Sequence, residues 1–270
     1  MTILLLKLCM TPVLIASASL AARRWGPLIG GWIVALPLTS GPVLFFVAVD
    51  HGVPFAVSAA VGSLAGLGAI VAFCIAYGYA GGSAGPAVGL IAASLTFAVI
   101  GAAFQPILDG SVWVVVAIVL VGTVVALRVL PAGARLSTAV AHPWWDLPAR
   151  MVVATALVFG LTAIAPILGP HVSGLVATFP VYLSVMTVFA HLHAGMPAAV
   201  GVMRGLLMGM LGTVSFFLVV RFGLEPAGVG PTFLAATLTA LAFQALALAL
   251  LRRSDSGAAA QLAEVPLPEI

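Results

Sequence analysis

Arg204 is the residue most able to do chemistry, because it is a charge set inside an apolar run. It lies about 10 Å into the stretch 197–222, counted from Pro197 at helical rise. An intramembrane arginine is expensive and usually faces a bundle interior or a cavity. Its functional reading is a hold on an anionic group. Its plain reading is a side chain that snorkels to the headgroups. The stretch HLHAG, His191 to Gly195, raises a metal site. Two histidines at i and i+2 of a helix point about 200° apart and share no face. No third ligand is visible, so the expectation is a pair of interfacial histidines and no metal. Asp50-His51 reads as a solvated loop, with a proton-coupling pair as the alternative. Tyr182 and Gln244 are polar, lie within apolar runs and are candidates for lining a site. There is no GxSxG, HExxH or Walker loop, so neither an enzyme nor a cofactor is expected.

Two prolines complete the candidate set. GPLIGGWIVALP (Gly26 to Pro37) and GPHVSGLVATFP (Gly169 to Pro180) share a Gly-Pro start, a glycine five residues later and a proline in mid-run. Pro37 and Pro180 each fall about nine residues into a span, near mid-membrane at 1.5 Å per residue. A proline there removes a backbone hydrogen bond and frees a carbonyl. In PLTSGP, Thr39 or Ser40 can N-cap a new half-helix with Pro42 in its first turn. The functional reading is a broken helix that offers backbone groups to a solute. The plain reading is a kinked packing helix.

The elements that must position these residues follow from composition. The chain has 270 residues, 63% of them hydrophobic and only 6% charged. A soluble domain is about 25% charged. Lipid is therefore the solvent, and it permits only helical bundles or closed barrels. The apolar runs are unbroken and about 20 residues long, which means helices. The fold class is all-α, a polytopic bundle with spans near 3–22, 28–49, 55–79, 86–104, 111–130, 148–168, 171–190, 197–222 and 231–251. Span one has a rival reading as a secretory signal peptide, but it lacks a positive n-region and holds Lys7 in its apolar stretch. Cys9 and Cys74 lie in apolar runs and read as packed free thiols. Trp144 and Trp145 read as an interfacial anchor. The sparse positive charges flank the spans and give no reason to expect nucleic acid.

An offset of 143 aligns residues 26–96 with 169–239 without a gap, at about 20 identities in 71 positions, concentrated at Gly and Pro. Gly52-Val53-Pro54 falls on Gly195-Met196-Pro197, and Gly66 falls on Gly209. Arg204 falls on Val61, and Arg150 falls on Lys7. Fixed-period self-similarity is the mark of a repeat. The organisation is a four-span repeat (1–104), a linker with one span (105–147), a second four-span repeat (148–251) and a disordered tail (252–270). One linking span turns the second repeat upside down. Arg23, Arg24, Arg128, Arg135, Arg150, Arg252 and Arg253 all fall on the side reached after span one. Lys7, Arg221, Asp50, Asp109 and Glu225 fall on the other. The positive-inside rule then places the N-terminus outside and the C-terminus in the cytoplasm.

Each repeat resembles the small four-span bacterial membrane proteins of the GlpM-like type. The resemblance rests on the helix-start cation (Lys7 or Arg150) and on SGLVATFP, Ser173 to Pro180. The position of His191 after Pro180 departs from that pattern. The resemblance implies a bacterial inner-membrane location and two antiparallel units fused through span five. Inverted repeats are common in secondary transporters, with the solute at the midplane where discontinuous helices meet. The expected function is transport or export of a small organic solute, anionic if Arg204 serves it. The expected solute-binding residues are Arg204, Pro37, Thr39, Ser40, Pro180 and Tyr182. The expected partners are membrane lipid and the solute, and assembly into a homo-oligomer stays open. The alternative is a non-transporting scaffold that binds a protein or a lipid.

Overall fold

The computed structural model describes residues 2–38, 40–104, 111–131, 143–164 and 178–263, with side chains placed from Cys9 to Ala249 within these ranges. Thr39, Asp109, Arg135, the side chain of Lys7 and the first part of the span expected at 171–190 lie outside this description. The described residues form the helices α1 (Thr2–Trp25), α2 (Pro27–Val34), α3 (Ser40–His51), α4 (Val53–Ala84), α5 (Pro86–Phe104), α6 (Val112–Val129), α7 (Asp146–Ile164), α8 (Val181–Ala227) and α9 (Val229–Ala263). Six of them, α4 to α9, are long and apolar enough to cross a membrane.

Two elements break the simple picture of one helix per span. The run expected at 28–49 is split into α2 and α3, of 8 and 12 residues. Neither piece is long enough to cross a bilayer, which takes about 20 residues. By contrast, α8 is too long: its 47 residues would reach roughly 70 Å at 1.5 Å each. Gly195 breaks it, with φ 75° and ψ −178°, into a first limb that carries the histidines and a second limb that carries Arg204. Only glycine takes that φ without strain. The pattern recurs at a fixed offset of 143. Gly52 (φ 84°) matches Gly195 (φ 75°), and Gly85 (φ 88°) matches Gly228 (φ 76°).

α9 continues as a helix past the apolar span to Ala263. Ala258 to Ala260, Gln261, Leu262 and Ala263 are strong helix formers, and the preceding span supplies the nucleus.

The core lies along α4 and the second limb of α8, where Leu64, Phe73, Tyr77, Met203, Leu207 and Met210 are fully buried. α4 packs on α5 and α6, α8 packs on α2 and α9, and α1 packs on α2 and α7. Small residues set the closest approaches. A Cβ on Gly31 would run into the backbone carbonyl of Val202, and one on Gly205 into that of Leu28. α2 and the second limb of α8 therefore meet backbone to backbone, as lipid-embedded helices do through small residues. The outer faces stay apolar. Val88, Ile91, Leu95 and Val99 of α5 and Leu234, Leu238 and Leu241 of α9 are exposed, which lipid explains.

Candidate functional site

The two prolines build the same local device. Across Pro37, the Leu38 N–H donates to the Leu36 carbonyl (2.8 Å), and the Gly41 N–H reaches back to the Pro37 carbonyl (2.8 Å). Across Pro180, the Val181 N–H donates to the Phe179 carbonyl (2.8 Å), and the Ser184 N–H to the Pro180 carbonyl (2.9 Å). Each donor and acceptor is shifted by 143. Pro180 has φ −80° and ψ 66°, the inverse γ-turn conformation. A one-residue turn thus precedes a fresh helix start in both places. Ser40 is the first residue of α3, and Thr39, the other expected cap, lies outside the described residues.

The two breaks also engage the opposite halves of the chain in a reciprocal way. Ala35 packs against Gly209, and Thr178, 143 positions further on, packs against Gly66. The first break is clamped further. Thr213 Oγ1 donates to the Ala35 carbonyl, and Gln244 Nε2 donates to the Gly209 carbonyl (3.1 Å). At the second break, Tyr182 shares a 2.9 Å hydrogen bond with Thr11 of α1.

Arg204 is directed elsewhere. One guanidinium nitrogen donates to the carbonyls of Leu127 (2.8 Å), Leu130 (3.0 Å) and Pro131 (3.4 Å). Leu127 lies in the last turn of α6, and Leu130 and Pro131 follow its end, where carbonyls have no partner within the helix. A cation there also complements the helix dipole. Arg204 therefore caps α6 through that nitrogen, which points to the end of α6 and not to Pro37 or Pro180. A cavity of about 430 Å³ is lined by Trp25, Ile29, Trp32, Ile33 and Leu248, and by none of the residues expected to hold a solute.

The most concentrated chemistry is a junction of helix ends. Asp146, the first residue of α7, is wholly buried. Its carboxylate accepts from Arg23 Nη2 at 2.8 Å and, through both oxygens, from Arg150 Nε at 3.0 Å. His193 Nε2 stands 3.3 Å from Asp146 Oδ1. Arg23 lies in the last turn of α1, and His193 just before the Gly195 break. The start of α7 so carries the anion, and the end of α1 the cation, that its dipole favours. Arg150 is 4% exposed and also rests over the Phe189 ring at 5.0 Å and near Met186 Sδ at 3.7 Å. His191 points to another neighbour, Tyr77 of α4, at 3.2 Å. The two histidines thus diverge as their spacing requires.

From this junction a seam runs back toward Pro180. Tyr182, Met186, Phe189 and His193 form one stripe of the first limb. They meet Thr11 and Ser19 of α1 and Asp146 and Arg150 of α7. Sequence reasoning singled out Arg150 and the histidines but not Asp146, and it used Arg23 only as a topology signal. The usable clue was Asp146 itself, one of only seven acidic residues, four positions before Arg150.

No protein-family model, curated protein or solved structure matches the chain. The fold and the site define a multi-pass helical membrane protein with a buried charge junction at one end of its bundle.

Proposed function

We propose that the chain is a secondary transporter or exporter of a small organic solute, built from two inverted four-span repeats around one linking span. The supporting observation is the pair of inverse γ-turns at Pro37 and Pro180, matched bond for bond at an offset of 143. Discontinuous helices in corresponding places of two halves are the hallmark of a midplane transport site. In this reading there are nine spans. The broken α2–α3 unit and the two limbs of α8 supply spans two, seven and eight. The repeats are fused GlpM-like units in a bacterial inner membrane, with the N-terminus outside. Pro37, Thr39, Ser40, Pro180 and Tyr182 flank the solute. Arg204, committed to α6, gives no basis for an anion preference, so the solute's charge stays unassigned.

One observation favours the alternative of a scaffold. Thr213 holds the Ala35 carbonyl just before the first break, so that carbonyl is already engaged within the bundle. Single cysteines at Ser40 and Tyr182, in a background lacking Cys9 and Cys74, separate the two readings. A transporter exposes them to small charged thiol reagents added to membranes. If both stay unreactive from either side, no water-filled path reaches the breaks and transport is excluded.

A further inference from the structure

His193 has an acceptor at each ring nitrogen. Nδ1 lies 3.0 Å from the Phe189 carbonyl, one turn back on its own helix. Nε2 lies 3.3 Å from Asp146 Oδ1. A carbonyl can only accept, and an ionised carboxylate can only accept. Neutral imidazole carries one proton. With Nδ1–H given to Phe189, the Nε2 lone pair faces a carboxylate oxygen; with Nε2–H given to Asp146, the Nδ1 lone pair faces the Phe189 carbonyl, so either neutral tautomer sets two acceptors against each other. One additional proton between Nε2 and Oδ1 removes the conflict. Two guanidinium groups hold Asp146 as the anion, so that proton belongs on His193.

We infer that the Asp146–His193 contact is a proton-binding site, and that a proton is the coupling ion of the transporter proposed above, on which this step rests. The proton comes from water and forms an N–H bond at Nε2. The arginines, carboxylate and imidazole then carry a net charge of +2 instead of +1. Two features balance the site. Asp146 and the C-terminal end of the first limb attract the imidazolium. Arg150 from α7 and Arg23 from α1 oppose it through the same carboxylate. Of the remaining groups packed around the first limb, Trp145 contributes a ring 5.8 Å from His193, and Tyr77 of α4 is engaged with His191. A proton held between such opposed charges can be both bound and released, as coupling requires. The mechanical link is direct. With the proton, the end of the first limb is tied to α7. Without it the single remaining proton can serve only one of the two contacts, and in the Nδ1–H tautomer the tie to Asp146 is lost, leaving the limb that begins at Pro180 held to α7 by the Arg150–Phe189 contact.

The test needs no solute. Full-length protein in nanodiscs carries spin labels at Val153 and Leu192, both exposed, on α7 and on the first limb. The label separation is followed between about pH 5 and 8, the window in which imidazole changes charge. ¹⁵N spectra of the histidines are recorded on the same samples. The His193 signals are identified by their loss in His193→Gln. The expected result is a short separation whenever both His193 nitrogens are protonated, a longer one whenever one is not, and no pH response in His193→Gln. A separation that ignores pH in the wild type overturns the proposal. So does a short separation with a singly protonated His193. A pH-gated tie in a protein whose Ser40 and Tyr182 positions never meet water would sink transport and leave the proton site standing.

Discussion

Removing the carboxylate at Asp146 should cost far more than removing a surface ion pair, and removing Arg150 with it should restore most of the loss. Asp146 is 0% exposed and Arg150 4% exposed, so neither charge has water to fall back on. Substituting Asp146→Leu takes away both 3.0 Å contacts to Arg150 Nε. It leaves a guanidinium with only the Phe189 ring and the Met186 sulfur. Breaking a buried pair by deleting one partner costs about 3–5 kcal/mol. The ring recovers about 1–2 kcal/mol at most, and that contact already exists in the wild type. Arg23 adds little to the loss, because its side chain is 27% exposed and can turn to solvent. In Asp146→Leu with Arg150→Met, the orphaned charge is gone and an apolar chain fills its place. Such a replacement of a buried pair is often neutral. The double variant should therefore lie within about 1 kcal/mol of wild type, a coupling of several kcal/mol between adjacent sites. Reversible unfolding in mixed micelles measures all four corners of the cycle. A single-variant cost below about 1 kcal/mol, the range of exposed pairs, would refute the reasoning. So would a double variant as unstable as the sum of the singles.

Arg204→Met should lose the cap on α6 and cost about 1.5–3 kcal/mol, the value of a charged hydrogen bond. Faster amide exchange should be confined to the chain around Leu127 to Pro131, and exchange spread evenly over α6 would deny the cap. Gly31→Ala and Gly205→Ala should each prevent folding in membranes, because their new Cβ atoms meet backbone that cannot yield, whereas Gly82→Ala meets nothing within 4 Å and should be silent. Expression and detergent-stability profiles of the three variants decide this. Reporters fused after Arg253 and within residues 106–110 should report opposite sides of the membrane, cytoplasmic and periplasmic. Agreement between the two would remove the inverted arrangement.

The breaks were legible in the sequence because Pro and Gly act on their own backbone. Pro37, Pro180, Gly52 and Gly195 carry their geometry wherever the chain goes. The charge junction was not legible, because it is made by tertiary contact. Arg23 and Asp146 are 123 positions apart. Each end-of-span charge has a sufficient local explanation as a topology signal, so nothing in the sequence asks for a partner. Arg204 stood out for its place in an apolar run, but its acceptors are carbonyls at the end of α6, which no residue type announces. The offset of 143 was the strongest sequence signal, yet it hides the junction too. Asp146 falls on Ile3, and His193 falls on Asp50.

That last mismatch leads to a final prediction. In the second half, α7 is joined to the first limb of α8 through Asp146. The corresponding pair in the first half is α1 with α3, and these are not an extensively packed pair among the described residues. If the halves are inverted repeats, one end of the bundle is latched and the other is not, which is what a transporter shows in one of its two states. The other state exchanges the two arrangements. The mates of Arg150 and His193 are Lys7 and Asp50, which carry opposite charges. They would then approach each other as Arg150 and His193 now converge on Asp146. Cysteines at Lys7 and Asp50, without Cys9 and Cys74, should therefore cross-link poorly in the otherwise native protein. They should cross-link well once His193→Gln has removed the proton site, because that substitution weakens the latch and shifts the population toward the other state. The same substitution should lower cross-linking between cysteines placed on α7 and the first limb. A Lys7–Asp50 yield that is indifferent to His193→Gln would mean the two ends are not coupled. The asymmetry would then be a fixed property of the bundle and not one half of a cycle.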